Sequence, residues 1–538
     1  MNVFSQNKRT KVKKSTFNLS HEHKLTCEMG YLIPHLLLET LPGDKFKINT
    51  EVFLRFTALL APIFHRVNVF THFFYVPTRI IWKDFEKFIT GGITGNEVVP
   101  YPKFNPYNLA NPGMAEFAWQ GSLMDYLGCP VATDNSDPIN AIRNIWNSTD
   151  QISELPFRAY QKIYNDFYRD QNLIPDMDPQ IISLEELLTL RRRSWEHDYF
   201  TSALPWAQRG GEVNIPGVGA QGKLTRIDEF AEDQWNQVDG NQKLPFNGGS
   251  VSAYGHPAPN NYSGRLQASN MLNSGLQMDL SNIKIDDDGS GLSTINNLRR
   301  AIKLQEWLEK NMRGGARYIE QILAHFGVVS SDARLQRPEY LGGSKAPVQI
   351  SEVVQTAPMT NLPDSTPLAT LAGQAVGVGS NKPIVKYCEE HGYIIGIMSI
   401  MPKPTYMQGL PQMFGRFDRF DYAWPEFAHL GEQYVFQWEL KKEANQPEDA
   451  TFGYQQRYAD YKYEKSRVSG FFRSYMDHWH LARKFEDAPL LNKSFIECKP
   501  DDRIFATEGP WNSDILVMAY NNVLAKRPLP KYSTPRIF

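Results

Sequence analysis

The chain has 538 residues, 41% of them hydrophobic and 22% charged. This globular composition excludes disordered, collagen-like and coiled-coil classes and leaves ample material for a core. Its 57 Lys and Arg against 59 Asp and Glu give a formal net charge of −2, so nothing global announces a polyanionic partner.

Gly 37 and Pro 35 together with 31 Phe, 25 Tyr and 11 Trp favour turns and half-buried sheet faces over helical bundles, so a β-rich fold is expected. Charge is unevenly placed. Residues 1–20 carry Lys8, Arg9, Lys11, Lys13 and Lys14 and no acid, a basic arm on an otherwise acidic chain. Such an arm neutralises nucleic-acid phosphates without reading sequence; the plainer reading is an ordinary charged terminus.

Next, Asp44–Thr57 mixes charged and apolar residues in rough alternation, and Arg66–Val76 is dense in β-branched and aromatic residues. Both are predicted strands, ended by Pro62 and Pro77. A short helix is predicted over Ile80–Ile89, stopped by Gly91 and Gly92. Residues 93–150, rich in Asn, Pro and Gly, read as ordered loops anchored by Phe117, Trp119, Leu123 and Tyr126. Helical spacing returns at Phe157, Tyr160, Ile163, Tyr164 and Phe167, then at Leu184, Leu187, Leu188 and Leu190.

The sharpest shift in composition lies at 210–291, which holds 13 of the 37 glycines and 9 asparagines. A segment of that length is functional or disordered rather than a simple connection. Trp235, Phe246, Tyr254 and Tyr262 argue for packing of its own, and we read an inserted, surface-projecting subdomain. A helix pair should follow, with one stripe at Leu298, Ala301, Ile302, Leu304, Leu308 and Met312 and a second at Tyr318, Ile319, Ile322, Leu323 and Phe326. From Val348 onward, short strands such as Tyr393–Ile400 are expected.

Chemistry-bearing motifs are sparse. Cys27, Cys129, Cys388 and Cys498 lie far apart without a C-x-x-C pair, so neither a zinc knuckle nor a disulfide framework is indicated, and a reducing compartment fits. Gly217, Gly219 and Gly222 satisfy G-x-G-x-x-G, but Pro216 and loop-like flanks make this a flexible turn. His21 with His23, and His478 with His480, stand at i, i+2 as on one side of a strand; without further ligands they read as hydrogen-bonded structural histidines. Asp286, Asp288, Ser290 and Gly291 begin like a calcium loop, yet Asn297 stands where the bidentate Glu belongs. No nucleophile motif occurs, and a carboxylate pair such as Glu389 and Glu390 is unremarkable among 59 acids. No catalytic residue, cofactor or metal is assigned. The longest apolar region, Tyr393–Met401, is too short for a membrane helix, and the N-terminus lacks an export signal; a soluble, unexported chain without membrane insertion is expected.

One resemblance is specific. LAPIFHRVNVFTHFFYVPTRIIW at 60–82, PFRAYQKIYNDFYRDQNL at 156–173, WEHDYFTSALPWAQRG at 195–210, the run LQEWLEKNMRGGARYIEQILAHFGVVSSDARLQRPEYLGG at 304–343, CEEHGYIIGIMSIMP at 388–402, FDYAWPEFAHLGEQ at 420–433 and HWHLARKF at 478–485 together resemble the major capsid proteins of microviruses, in particular the gokushovirus branch of single-stranded DNA phages. The resemblance covers most of the chain and is weakest over 210–291.

It implies a mainly β chain: a viral jelly roll, an eight-stranded antiparallel β-sandwich with long loops, a few helices and a large inserted surface subdomain. The expected division is a basic arm at 1–20, core at 21–209, an inserted protrusion at 210–291 and helix pair with remaining core at 292–538. Implied too are pentamers closing into a T=1 icosahedral shell around circular single-stranded DNA, assembled in the host bacterial cytoplasm. The partners would be further copies, an internal scaffolding protein, a minor pilot protein and a host surface receptor. The arm residues Lys8, Arg9, Lys11, Lys13 and Lys14 are the expected DNA contacts. Trp235, Phe246, Tyr254 and Tyr262 mark the expected threefold protrusion for host attachment. Two rivals are a nucleic-acid-binding β protein that builds no shell, and a β-sandwich enzyme acting on glycans through a carboxylate pair.

Overall fold

Alternation builds the first leaf of the fold. In Lys45–Phe56 the side chains of Phe46, Ile48, Thr50, Val52, Leu54 and Phe56 are buried while Lys45, Lys47, Glu51, Phe53 and Arg55 face out, the period-two pattern of a sheet covered on one face. The computed structural model describes residues 13–90, 97–133, 137–208, 235–237, 276–278, 295–314, 336–356, 368–506 and 515–532. Their strands are β1 (Ser15–Asn18), β2 (His21–Cys27), β3 (Ile33–Thr40), β4 (Lys45–Phe56), β5 (Val67–Pro77), β6 (Lys103–Phe104), β7 (Ile152–Ser153), β8 (Trp235–Gln237), β9 (Leu276–Met278), β10 (Glu339–Val354), β11 (Leu371–Ser380), β12 (Ile384–Tyr387), β13 (Gly392–Pro402), β14 (Glu432–Phe436), β15 (Thr451–Gln456) and β16 (Ile515–Arg527).

Ten of these form one antiparallel network in the order β1–β16–β4–β11–β10–β5–β13–β3, with β2 also on β16 and β12 also on β4. β1 and β2 lie in line along β16, and β11 and β12 in line along β4, which leaves eight strand positions. The long β10 joins two leaves: Glu339–Pro347 pairs with β5, whereas Val348–Val354 pairs with β11. The first leaf is β1/β2, β16, β4 and β11/β12; the second is β10, β5, β13 and β3. Their facing sides interdigitate through Leu54, Phe56, Val517 and Ala519 of one leaf and Val67, Val69, Met398 and Ile400 of the other, and through Phe46, Ile48 and Val523 against Leu36, Phe73 and Ile394. This is the expected jelly roll.

The second leaf is buried on both faces. Phe74, Val76, Ile395 and Ile397 point away from the first leaf into a third layer of short helices and turns from residues 78–190. Helix Leu155–Ile163 anchors that layer: Tyr160 donates its hydroxyl to Leu32 O at 2.8 Å, and the buried Gln161 amide donates to Leu187 O at 2.9 Å and Thr189 O at 2.8 Å. Buried Phe117, Leu123 and Tyr126 hold the loops here, with Trp119 half-buried.

Some expectations are corrected. The helix predicted over Ile80–Ile89 is two pieces, Thr78–Ile81 and Phe85–Thr90, because Trp82 turns into extended conformation to bury its ring against Phe88 and Tyr101. The strands after Val348 are not uniformly short, since β16 runs for 13 residues and β10, reaching back to Glu339, for 16.

The chain divides into two compact units, Met1–Ala207 with Asn311–Phe538, and Gln208–Lys310. In the second, β8 pairs with β9 antiparallel, Trp235 opposite Met278. The first member of the predicted helix pair spans Ile295–Gly314, but Ile302 and Leu304 of its apolar stripe are exposed. The second stripe, 318–326, lies outside the described residues.

Candidate nucleic-acid interface

Of the arm, Lys8, Arg9 and Lys11 lie outside the described residues. Lys13 and Lys14 lead directly into β1. The Lys14 ammonium crosses the end of the first leaf to donate to Gly43 O at 2.6 Å and stands 5.2 Å from the Tyr387 ring centroid; Lys13 is exposed.

Register gathers further cations at that end. Lys45 of β4 lies opposite Lys526 of β16 on one side and Tyr387 of β12 on the other, and Lys47 lies opposite Leu524 and Val385. All are outward-facing positions. Among the described residues, Lys13, Lys45, Lys47 and Lys526 form no ion pair. Like charges on facing strands repel, so holding Lys45 beside Lys526 favours an anion between them. The sequence reading took the arm and missed this patch. The alternating Lys45 and Lys47 were a local signal, but Lys526 joins them only through pairing across the chain.

At the other end of the same open face, the turns over 116–133 lean over β2, β16 and β4 and enclose a groove of about 1360 Å³ lined by Lys24, Arg55, Phe53, Leu516, Met518 and Trp119. Acids share it: Glu28, Glu116 and Asp125, with Asp125 accepting from Gly121 N at 2.8 Å. The groove is therefore of mixed charge, unlike the lysine end.

Nucleophilic and metal chemistry finds little support among the described residues. The four cysteines are free. Burial pushes the thiols of Cys27 and Cys498 strongly up and that of Cys388 to about 11, away from reactive thiolate. His21 and His23 sit on β2 with their Nδ1 atoms against Leu19 O at 3.0 Å and His35 O at 3.1 Å. His478 and His480 are not on a strand, because Asp477–Trp479 forms a 3₁₀ turn. There Ala482 N donates to His480 Nδ1 at 3.0 Å and Nε2 lies 2.7 Å from Phe472 O. No three His, Cys, Asp or Glu gather as a metal site among the described residues. Glu390 accepts from Arg79 at 2.6 Å. The buried Glu439, whose carboxyl is pushed up by burial, is paired with Lys465 at 2.8 Å.

Trp235 is the one expected protrusion residue within the described segments. Phe246, Tyr254 and Tyr262, the turn Gly217–Gly222 and the acidic Asp286–Gly291 lie outside them. No helix among the described residues is long and apolar enough to cross a membrane.

Two packed leaves, one covered by a third layer and one open and carrying lysine, define a jelly-roll protein. Residues 5–537 match the family model of the capsid protein (F protein). The chain is 34% identical to capsid protein VP1 of Chlamydia phage 1, over 99% of this chain and 97% of that one. It is 35% identical to capsid protein VP1 of Bdellovibrio phage phiMH2K (98% and 96%) and 30% identical to that of Spiroplasma virus 4 (99% and 97%). The chain belongs to the capsid protein (F protein) family: it is a structural capsid protein of the virion.

Proposed function

We propose that this capsid protein forms pentamers that close into a T=1 icosahedral shell around circular single-stranded DNA in the host bacterial cytoplasm, without catalysing a reaction. The arm Lys8–Lys14 and the lysine end of the first leaf face the genome. An internal scaffolding protein and a minor pilot protein are its assembly partners. Segment 210–291, with Trp235, Phe246, Tyr254 and Tyr262, projects outward as the threefold protrusion that meets a host receptor.

The observation that carries the DNA-facing part is the outward set Lys45, Lys47 and Lys526, held together by strand register and without an ion pair among the described residues, beside Lys13 and Lys14 at the root of the basic arm. Cations there neutralise phosphate while exposed aromatics stack unpaired bases. Electron microscopy of the expressed chain with its internal scaffolding protein tests the assembly: closed shells are expected, and a chain that stays solitary would refute the reading. Excising 210–291 with a short linker should leave particles intact and reduce host adsorption.

A further inference from the structure

Within segment 411–434 Gly431 alone is buried. The segment runs through three single 3₁₀ turns, Gln412–Gly415, Arg419–Asp421 and Pro425–Phe427, into the start of β14. From it Phe414, Phe417, Phe420, Tyr422, Trp424 and Leu430 project with 47–91% of their surface exposed, Phe417 the most. Large apolar side chains exposed singly are ordinary, but six on one short segment, with Phe420 6.0 Å from Phe427 between ring centroids, mark an interaction surface.

The segment is nonetheless held firmly from beneath. Arg416 pairs with Asp460, both side chains nearly buried, and its guanidinium lies 4.0 Å from the Tyr461 ring. Asp421 closes the middle turn, accepting from Phe417 N at 2.9 Å and Asp418 N at 2.7 Å. Trp424 N donates to Tyr458 Oη at 3.1 Å, and Tyr458 itself is held in the left-handed region at φ +61° while its own N–H donates to Gln433 at 2.8 Å. A bulky residue persists in that region only where its surroundings over-determine it. Aromatics on a platform fixed this way lose little further freedom on binding, which is what makes strong interface anchors.

We infer that segment 411–434 is a contact surface for a second copy of this chain, a step that rests on the capsid reading. Charge selects the occupant. The 24 residues hold two Arg, of which Arg416 is paired with Asp460, against Asp418, Asp421, Glu426 and Glu432, so the segment is net acidic and disfavours phosphate. Phe, Tyr and Trp with Arg at their edges, as where Arg419 stands 4.7 Å from the Phe420 ring, is the composition of protein interface cores. A shell supplies another copy to every such surface.

Two experiments test this on the full chain assembled with its scaffolding protein. A photo-crosslinking phenylalanine at position 417, irradiated in particles, should yield a covalent species of twice the chain mass; adducts only to another polypeptide, or within one chain, would overturn the inference. The double variant Phe414→Asp/Phe417→Asp should keep the parent's circular dichroism and melting temperature, since neither ring belongs to the core, while particle yield falls by about tenfold or more on loss of two interface anchors. Shells at normal yield from this variant refute the surface and leave the capsid reading standing, whereas no shells from the parent under the same conditions refutes both.

Discussion

The two leaves of the jelly roll share a core and differ in what lies behind them. β5 and β13 are buried along almost their whole length, residue after residue. β4 and β16 bury only alternate side chains and turn Lys45, Lys47, Arg55, Leu516, Met518 and Lys526 outward. The difference teaches where this chain completes itself and where it waits for something else. A leaf backed by the chain's own 78–190 layer can be apolar on both sides, while a leaf open on one side buries only alternate side chains and is free to place lysine and arginine beside apolar residues on the other.

The comparison breaks hardest at Phe74 and its counterpart on the open side, Phe53. Phe74 stands 4.8 Å from Phe167 of the layer behind the second leaf and 5.4 Å from Tyr340 of the neighbouring β10, ring centroid to centroid. Phe74→Ala should cost about 3–5 kcal/mol of stability through the cavity it leaves. Phe53→Ala, 44% exposed in the groove of the open face, should cost only about 1 kcal/mol. Chemical denaturation midpoints of the two variants measure the contrast, and equal losses would mean that the open face is covered in the free chain.

Between the leaves the interior is pinned by polar groups. Buried Asn521 of β16 accepts from Thr50 of β4 at 2.9 Å, lies 3.2 Å from His35 Nδ1 of β3, and donates to His35 O at 3.0 Å. Asn521→Leu would strand the Thr50 hydroxyl and His35 Nδ1 away from water and leave His35 O to His23 Nδ1, so a loss of about 2–3 kcal/mol is expected in the same assay. The His35 ring fits because residue 396 is Gly: a Cβ there would lie 2.9 Å from Nε2.

Burial, and to a lesser extent the nearby His23 and His21, lowers the His35 pKa from 6.5 to about 3. The unfolded chain therefore binds the extra proton between those values, and stability falls as pH drops below about 6.5, by about 2 kcal/mol at pH 5 from this group. His35→Phe should narrow the difference in denaturation midpoint between pH 7 and pH 5. It should not abolish it, since burial also lowers His65 and His72 to about 4. An unchanged difference would mean that His35 does not titrate with unfolding.

Periodicity made much of the fold legible: the alternation of Lys45–Phe56 and the apolar run of Val67–Val76 each announce the leaf they belong to. What stayed illegible depends on contacts distant in sequence. Nothing local shows that Asn521 can sit buried within β16, where Thr50 and His35, from strands hundreds of residues earlier, satisfy its amide. Lys526 becomes part of a basic patch only through its register with Lys45. Nor does local sequence separate Trp438, buried behind β14, from Trp424, nearly half exposed on the 411–434 surface. Trp424 lies between Ala423 and Pro425 and Trp438 between Gln437 and Glu439, so local polarity would if anything suggest the opposite, and only tertiary placement tells core from contact surface.

The smallest effect on folding is expected at the lysine end of the open leaf, where it carries the most functional information. Lys45, Lys47 and Lys526 have no ionic partner among the described residues, so replacing all three with Gln should shift stability by no more than about 0.5 kcal/mol per site and relieve mutual repulsion. Binding of single-stranded DNA should respond differently. Each phosphate contact contributes about 0.7 to the slope of log affinity against log salt, so losing three should flatten it by about 2. Lys14 provides the internal comparison. Its ammonium is already held by Gly43 O beside the Tyr387 ring, so Lys14→Gln should flatten the slope less than any one of the other three while costing more stability. If Lys14 instead dominates the salt dependence, the genome is held by the arm alone and the open leaf faces a different partner.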